Sequence, residues 1–254
     1  MSEERAILVA RDETVATITL NRPAVRNAMN YPALELLEQE LDALEAAPPR
    51  VVILRGAAPG FCSGIDLKES RESTPEFANR RVTLMHRALR KLRRFPAPVI
   101  VVVDGVAAGL GCELAISGDI RIAGRSARYS YPEPRVSVPS PAHHLVWLIG
   151  LARAQDMLLT ARWVEADEAE RFGVATRVAD DVDATLAAEV ARLLALSPRS
   201  LTDTKANIWR AIDDGAQAAS EHHIDGVTYA AGTADRREAL AAFAEKRDPV
   251  FRGT

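Results

Sequence analysis

Five consecutive apolar residues, Val99-Ile100-Val101-Val102-Val103, run into Asp104 and a turn of small residues, Gly105-Val106-Ala107-Ala108-Gly109-Leu110-Gly111. A helix-like stretch follows at once, Cys112-Glu113-Leu114-Ala115-Ile116. A run this apolar reads as a buried strand. A buried strand that feeds a glycine turn and a helix start leaves backbone N–H groups at the strand's end, where they can hold negative charge. A second acid, Glu133, stands 20 positions beyond Glu113. The rest of the chain has to fold around this unit.

With 254 residues the chain can bury a sizeable core as one large domain or a domain with an appendage. Its net charge of −3 argues against a generally basic nucleic-acid binder. The two cysteines, Cys62 and Cys112, do not suggest a disulfide framework, so a reducing cytoplasm is expected. Met1-Ser2-Glu3-Glu4 carries no signal-peptide pattern. The apolar runs are far shorter than a membrane span, so no membrane partner is expected.

Taken in order, Ile7 to Ala10 and Val15 to Leu20 read as strands around the turn Arg11-Asp12-Glu13. Leu34, Leu37, Leu41 and Leu44 recur at helical spacing, with Asn30 as cap and Pro48-Pro49 as the stop. Val51 to Leu54 is a short apolar strand. After a loop from Gly56 to Leu67, Thr74-Pro75 opens a long helix with Phe77, Leu84, Ala88, Leu92 and Phe95 on its apolar stripe. Its other faces carry Arg80, Arg81, Arg87, Arg90, Lys91, Arg93 and Arg94, which read as a solvated face. A patch for phosphates or nucleic acid is the other reading. Ile120 to Ala123 and Arg128 to Tyr131 read as strands. Pro132, Pro134, Pro139 and Pro141 predict an extended loop. Leu145 to Thr160 reads as a helix broken near Gly150, and Ala166 to Phe172 as one ended by Gly173. Ala175 to Val178 completes the strands. Beyond Asp183 only helices are expected. The organisation is therefore an α/β body over 1–195 and a helical tail over 196–254, which has little core of its own and must pack on the body or on another subunit.

Four ordered motifs carry a family resemblance. Gly60-Phe61-Cys62-Ser63-Gly64-Ile65-Asp66-Leu67 resembles the first oxyanion segment of the crotonase (enoyl-CoA hydratase/isomerase) superfamily. Asp104 to Ala115 resembles its second, with Asp104 where many relatives carry asparagine. Asn21-Arg22-Pro23 with Arg26-Asn27-Ala28 is similar to its entry turn. Phe243-Ala244-Glu245-Lys246-Arg247 with Pro249-Val250-Phe251 is similar to its C-terminal signature. The resemblance implies a right-handed spiral of β-β-α units with an all-helical C-terminal region used for oligomerisation, as a homotrimer or hexamer.

It also implies a site. A thioester carbonyl gains negative charge when its α-carbon is deprotonated or its β-carbon attacked, and two preorganised N–H donors stabilise that enolate. By motif position the donors are expected to be the backbone N–H groups of Ser63 and Leu110. Leu110 replaces a common glycine, and its bulk is expected either to narrow the acyl pocket or to strain the backbone; the other reading is a core leucine on the helix's first turn, which is compatible with its N–H being used. Glu113 and Glu133 fall on the two catalytic glutamate positions. Glu113 would help to activate water for attack at the β-carbon, and Glu133 would deliver a proton to the α-carbon. Arg135 is a candidate partner that would lower a neighbouring carboxylate's pKa. Ala24, Arg26, Gly64, Ile65 and Asp66 are expected near coenzyme A, with Phe243 and Lys246 approaching from the C-terminal helix of a neighbouring subunit.

The expected activity is hydration of a 2-enoyl-CoA to a 3-hydroxyacyl-CoA, with coenzyme A as part of the substrate and no cofactor. Isomerisation of an enoyl-CoA is the nearest rival. Decarboxylation or C–C hydrolysis follows, motivated by His143 and His144 in the proline-rich loop. A non-catalytic CoA- or RNA-binding member is the alternative of another class. No histidine group shows trusted metal-ligand spacing. A Rossmann dehydrogenase is set aside because the turn lacks the third glycine of the dinucleotide fingerprint.

Overall fold

A computed structural model describes residues 5–71, 73–141 and 143–254. The acidic stretch Met1 to Glu4 lies outside the described residues, as does the side chain of His143. The first elements are β1 (Ile7–Arg11), β2 (Val15–Leu20), a 3-10 turn at Pro23–Val25, α1 (Tyr31–Ala46) and β3 (Val51–Gly56). Then come α2 (Leu67–Arg71), α3 (Pro75–Arg93), β4 (Val99–Val103), β5 (Val106–Ala108) and α4 (Leu110–Ile116). β6 (Ile120–Gly124), β7 (Arg128–Ser130), a 3-10 turn at Glu133–Val136, α5 (His143–Ile149) and α6 (Leu151–Thr160) follow. The chain finishes with β8 (Val164–Glu165), α7 (Ala166–Phe172), β9 (Arg177–Ala179), α8 (Val182–Leu194), α9 (Pro198–Asp213), α10 (Ala216–Ala230) and α11 (Ala234–Glu245).

The strands form a six-stranded sheet in the order β1-β2-β3-β4-β6-β9 and a three-stranded sheet in the order β5-β7-β8. β1 pairs antiparallel with β2, and every later pairing in the large sheet is parallel. Parallel strands are covered on both faces, which explains why β4 is apolar at every position. Successive side chains alternate between faces. Val52, Leu54, Val99, Val101 and Val103 enter the main core, whereas Val51, Ile53, Ile100 and Val102 meet Leu186 of α8 on the other side. The chain passes from the large sheet to the small one twice in succession, β4 to β5 and β6 to β7, which is the strand-strand-helix repeat of a spiral.

Local chemistry sets the boundaries. Asn30, Thr74 and Ser197 cap α1, α3 and α9, each side-chain oxygen accepting a backbone N–H two or three residues into the helix. Gly150 separates α5 from α6, and Gly173 ends α7 in the left-handed region. Pro198 opens α9, because proline suits the first helical turn. Two expectations change. The segment after Pro132 opens with a 3-10 turn rather than running extended; a ring-fixed φ is compatible with such a turn. The small-residue stretch from Gly105 is mostly regular, as β5 and the first turn of α4.

The basic face of α3 is solvated at Arg80, Arg87, Arg90 and Arg94, as expected, and is corrected at two positions. Arg81 and Arg93 are buried. Arg81 pairs with Glu69 at 3.2 Å, Arg87 forms two 2.9 Å bonds to Glu38, Lys91 pairs with Asp42, and Arg94 pairs with Asp213 of α9. Arg81 lies four residues after Phe77 and three before Leu84, so it falls on the apolar stripe itself.

The tail docks on the body through α9. Buried Lys205 reaches the Ala97 carbonyl at 3.1 Å and Asp119 Oδ2 at 2.6 Å, and Asp119 Oδ2 also accepts the Val99 N–H at 2.7 Å. α9 and α10 pack together, yet Ile208, Ile224, Val227, Leu240 and Phe243 stay exposed.

Candidate active site

The two segments expected to carry the oxyanion donors meet through one rung of β-structure. Cys62 bridges Ala107 in parallel fashion. Its N–H donates to the Val106 carbonyl at 2.9 Å, and its carbonyl accepts the Ala108 N–H at 3.0 Å. The loop that follows Cys62 therefore runs beside the end of β5, where α4 begins. The approach is close enough that a β-carbon on Gly111 would stand 2.1 Å from the Cys62 carbonyl oxygen.

Gly109 turns the strand into the helix with φ +53° and ψ −115°. Leu110 is then the first residue of α4, and an N–H at this position has no acceptor within its own helix. The Leu110 side chain is buried in the main core. The positive φ sits at Gly109, and Leu110 has no such φ, so the backbone strain expected of this leucine does not arise.

The first segment behaves differently from expectation. The Ser63 N–H donates to the Arg26 carbonyl at 3.0 Å, so it is not free to hold a substrate oxygen. Ile65 forms a parallel bridge to Met29, in which the Gly64 carbonyl and the Asp66 N–H face Met29. In such a bridge the central residue's own N–H points the other way. The Ile65 N–H has no acceptor among the described residues, and Gly64 is the neighbour of Leu110, with its β-carbon position 3.8 Å from the Leu110 nitrogen. Motif position alone does not show that the Ser63 N–H is already bonded, because the Arg26 and Met29 pairings that orient this segment lie more than 30 residues upstream.

Glu113 occupies the first turn of α4 and is 1% exposed. Burial pushes its carboxyl up to about 7; the Tyr131 hydrogen bond and the charge of Arg93 oppose that rise, and Glu133 adds to it. The Tyr131 hydroxyl donates to Glu113 Oε1 at 2.8 Å. Glu133 begins the 3-10 turn after β7, and its Oε1 lies where a Gly109 β-carbon would be, 2.6 Å away. Burial raises its pKa too, against a 3.3 Å hydrogen bond from Ser140. Arg135 does not pair with it and donates instead to the Ala161 carbonyl at 3.3 Å. Both acids are thus brought to the Gly109–Leu110 turn.

The remaining expected residues divide. Ala24 and Arg26 are exposed around the 3-10 turn at Pro23–Val25, and the Arg26 carbonyl ties that turn to Ser63. Gly64 is buried with φ +104°. Asp66 serves the fold: it pairs with Arg22 at 3.0 Å and accepts the Lys68 N–H at 3.0 Å. Burial works against the charge of Asp66, but these bonds prevail and hold its pKa below the ordinary value. Phe243 and Lys246 are exposed at the end of α11, without a hydrogen bond or ring contact to the Ser63 or Leu110 segments among the described residues. The His144 ring meets Trp209 of α9 edge-on at 5.8 Å. Sequence reasoning missed Tyr131, read only as a strand residue, and Arg93, read as solvated.

Comparisons with known proteins bear on family and fold. A family model described as enoyl-CoA hydratase/isomerase matches residues 10–254. The chain is 34% identical to the probable enoyl-CoA hydratase echA8 of Mycobacterium tuberculosis, over 96% of this chain and 97% of that one. It is 32% identical to the 2,3-dehydroadipyl-CoA hydratase of Escherichia coli, over 97% and 98%. The crystal structure of an enoyl-CoA hydratase from Mycobacterium smegmatis superposes with a TM-score of 0.93 at 31% identity, covering 97% of this chain and 99% of that one. With its motifs, its spiral of paired strands and its length all matched, the chain belongs to the enoyl-CoA hydratase/isomerase family and has the crotonase fold.

Proposed function

We propose that the protein hydrates a 2-enoyl-CoA thioester to the 3-hydroxyacyl-CoA. The observation that carries this reading is the pairing of two upward-shifted carboxyls, buried Glu113 and half-buried Glu133, at one turn that also offers an N–H without an intrahelical acceptor. The names of the relatives support the same reaction class.

The thioester oxygen would lie between the N–H groups of Ile65 and Leu110. As a water oxygen attacks the β-carbon, electron density moves through the double bond to that oxygen, where two donors replace the lost hydration. Glu113, in its carboxylate form, takes the proton of the attacking water. Glu133, in its acid form, gives a proton to the α-carbon. Two carboxyls whose environments both disfavour charge can divide these roles near neutral pH. Coenzyme A enters as part of the substrate, with Ala24 and Arg26 near it and no further cofactor. Phe243 and Lys246 would approach it from a second subunit of a homotrimer or hexamer, and the exposed apolar residues of the tail favour such an assembly. Free, buried thiols at Cys62 and Cys112 suit a reducing cytoplasm.

An acyl-CoA panel scored together for hydration, isomerisation and C–C cleavage tests this. Hydration is expected to dominate and to fall by at least about 10³-fold in Glu113→Gln. Hydration at near wild-type rate in that variant would remove the role given to Glu113.

A further inference from the structure

Among the described residues the Tyr131 hydroxyl is the one polar group bonded to the Glu113 carboxylate, and the mechanism above leaves it unused. Its ring is fully buried immediately after β7. β7 pairs with β5 through Ala108 and Ser130, and the Gly109 N–H donates to the Ser130 carbonyl at 2.9 Å. The residue after Ser130 and the helix that starts after Gly109 are therefore tied to one another by main-chain bonds. A phenol adds little freedom of its own, having only two side-chain torsions. Glu113 Oε2, by contrast, is buried and has no partner among the described residues. A buried acceptor without a partner is costly, and a native site keeps one where a ligand or water supplies the bond.

We propose that Tyr131 is a positioning residue: it fixes Glu113 through Oε1 and so makes Oε2 the oxygen that receives the attacking water. This rests on the reading of Glu113 as the base. Left without Tyr131, either oxygen could turn towards the water and the carboxylate would sample poses unable to deliver it to the β-carbon; a fixed pose removes that loss. The hydroxyl has a second effect of known sign. A donor to the charged form of an acid favours that form, so Tyr131 keeps Glu113 ionised at a lower pH than burial alone would allow. The other groups facing Glu113 are Arg93 of α3, which favours its charge, and Glu133 of the 3-10 turn, which disfavours it; Cys112 shares its helix. Burial holds the Tyr131 phenol well above its usual range, so it stays a donor throughout.

Two substitutions separate the effects. Tyr131→Phe removes the hydroxyl and keeps the ring. Replacing Tyr131 by 3-fluorotyrosine keeps both and makes the hydroxyl a stronger donor, so folding is not at stake. Glu113 is titrated directly, without substrate, by carbon-13 NMR of glutamate-labelled protein, its signal assigned by loss in Glu113→Gln. The pH profile of kcat/KM is measured alongside. Tyr131→Phe is expected to move the Glu113 midpoint and the acidic limb upward by about one pH unit, and to lower kcat about tenfold with KM within about twofold. Fluorotyrosine is expected to move both downward. Midpoints that stay in place, or move in the same direction in both variants, overturn the proposal. Hydration surviving in Glu113→Gln overturns the base assignment and the proposal with it. Unmoved midpoints in an enzyme that needs Glu113 overturn the role of Tyr131 alone.

Discussion

The carboxylate of Glu133 stands in the place that a side chain on Gly109 would take: a β-carbon there would lie 2.6 Å from Glu133 Oε1. One glycine thus leaves room for the Glu133 carboxylate and at the same time bends β5 into α4, with a φ of +53° that side chains disfavour.

Gly109→Ala is therefore expected to act twice. The positive φ and the clash cost about 1–3 kcal/mol of stability, and the displaced Glu133 lowers kcat by about 10²-fold or more. Thermal unfolding and steady-state kinetics on a short 2-enoyl-CoA measure the two effects separately.

Glu113 makes stability depend on pH in an unusual direction for a carboxyl. Its pKa is about 7 in the folded protein and 4.5 without the fold. A raised folded pKa means that the folded state binds the extra proton, so stability is greatest below pH 4.5 and declines as pH rises towards 7. The full difference is about 3 kcal/mol. Glu113→Gln, which cannot ionise, is expected to melt higher than wild type at pH 8 and near the wild-type temperature at pH 4.5. Calorimetry at the two pH values checks this, and equal melting differences at both would count against the shift.

The two N–H groups of the first segment can be told apart by backbone chemistry. An amide-to-ester replacement that removes the Ile65 N–H is expected to lower kcat about 10²–10³-fold. The same replacement at Ser63 costs a bond to the Arg26 carbonyl and is expected to appear mainly as about 1 kcal/mol of stability. Semisynthetic protein assayed at saturating substrate provides the comparison.

Lys205 is the polar pin of the tail. Lys205→Met leaves Asp119 with the Val99 N–H and without its cation. Asp119 keeps some contact with solvent, so the expected loss is about 2 kcal/mol rather than the larger figure for a fully buried pair. Chemical denaturation, with proteolysis at the start of α9 as a second readout, measures it.

Much of the fold was legible because the signals are local. Asn30, Thr74 and Gly173 cap or end helices through their own neighbours, and the apolar run Val99 to Val103 needs both faces covered wherever it sits. That Glu113 and Leu110 share one turn of α4 was legible too, since both belong to one continuous motif. What stayed hidden depends on pairing across distance. Ser63 and Ile65 look equally able to donate until the Arg26 carbonyl takes the Ser63 N–H and the Met29 bridge turns the Ile65 N–H the other way. Tyr131 looks like any strand residue until β5 and β7 are laid side by side. Arg93 looks solvated because its partners, Ser117 and the field of Glu113, come from another helix.

The single rung between Cys62 and Ala107 limits how far the N–H groups of Ile65 and Leu110 can drift apart. The segment that leads into it from β3 is held too: the buried Asn27 amide donates to the Ala57 and Gly60 carbonyls at 2.7 Å each. An insertion or deletion between them would break the carbonyl pair that Asn27 grips, so this part of the chain is a frame and not a place where length can vary.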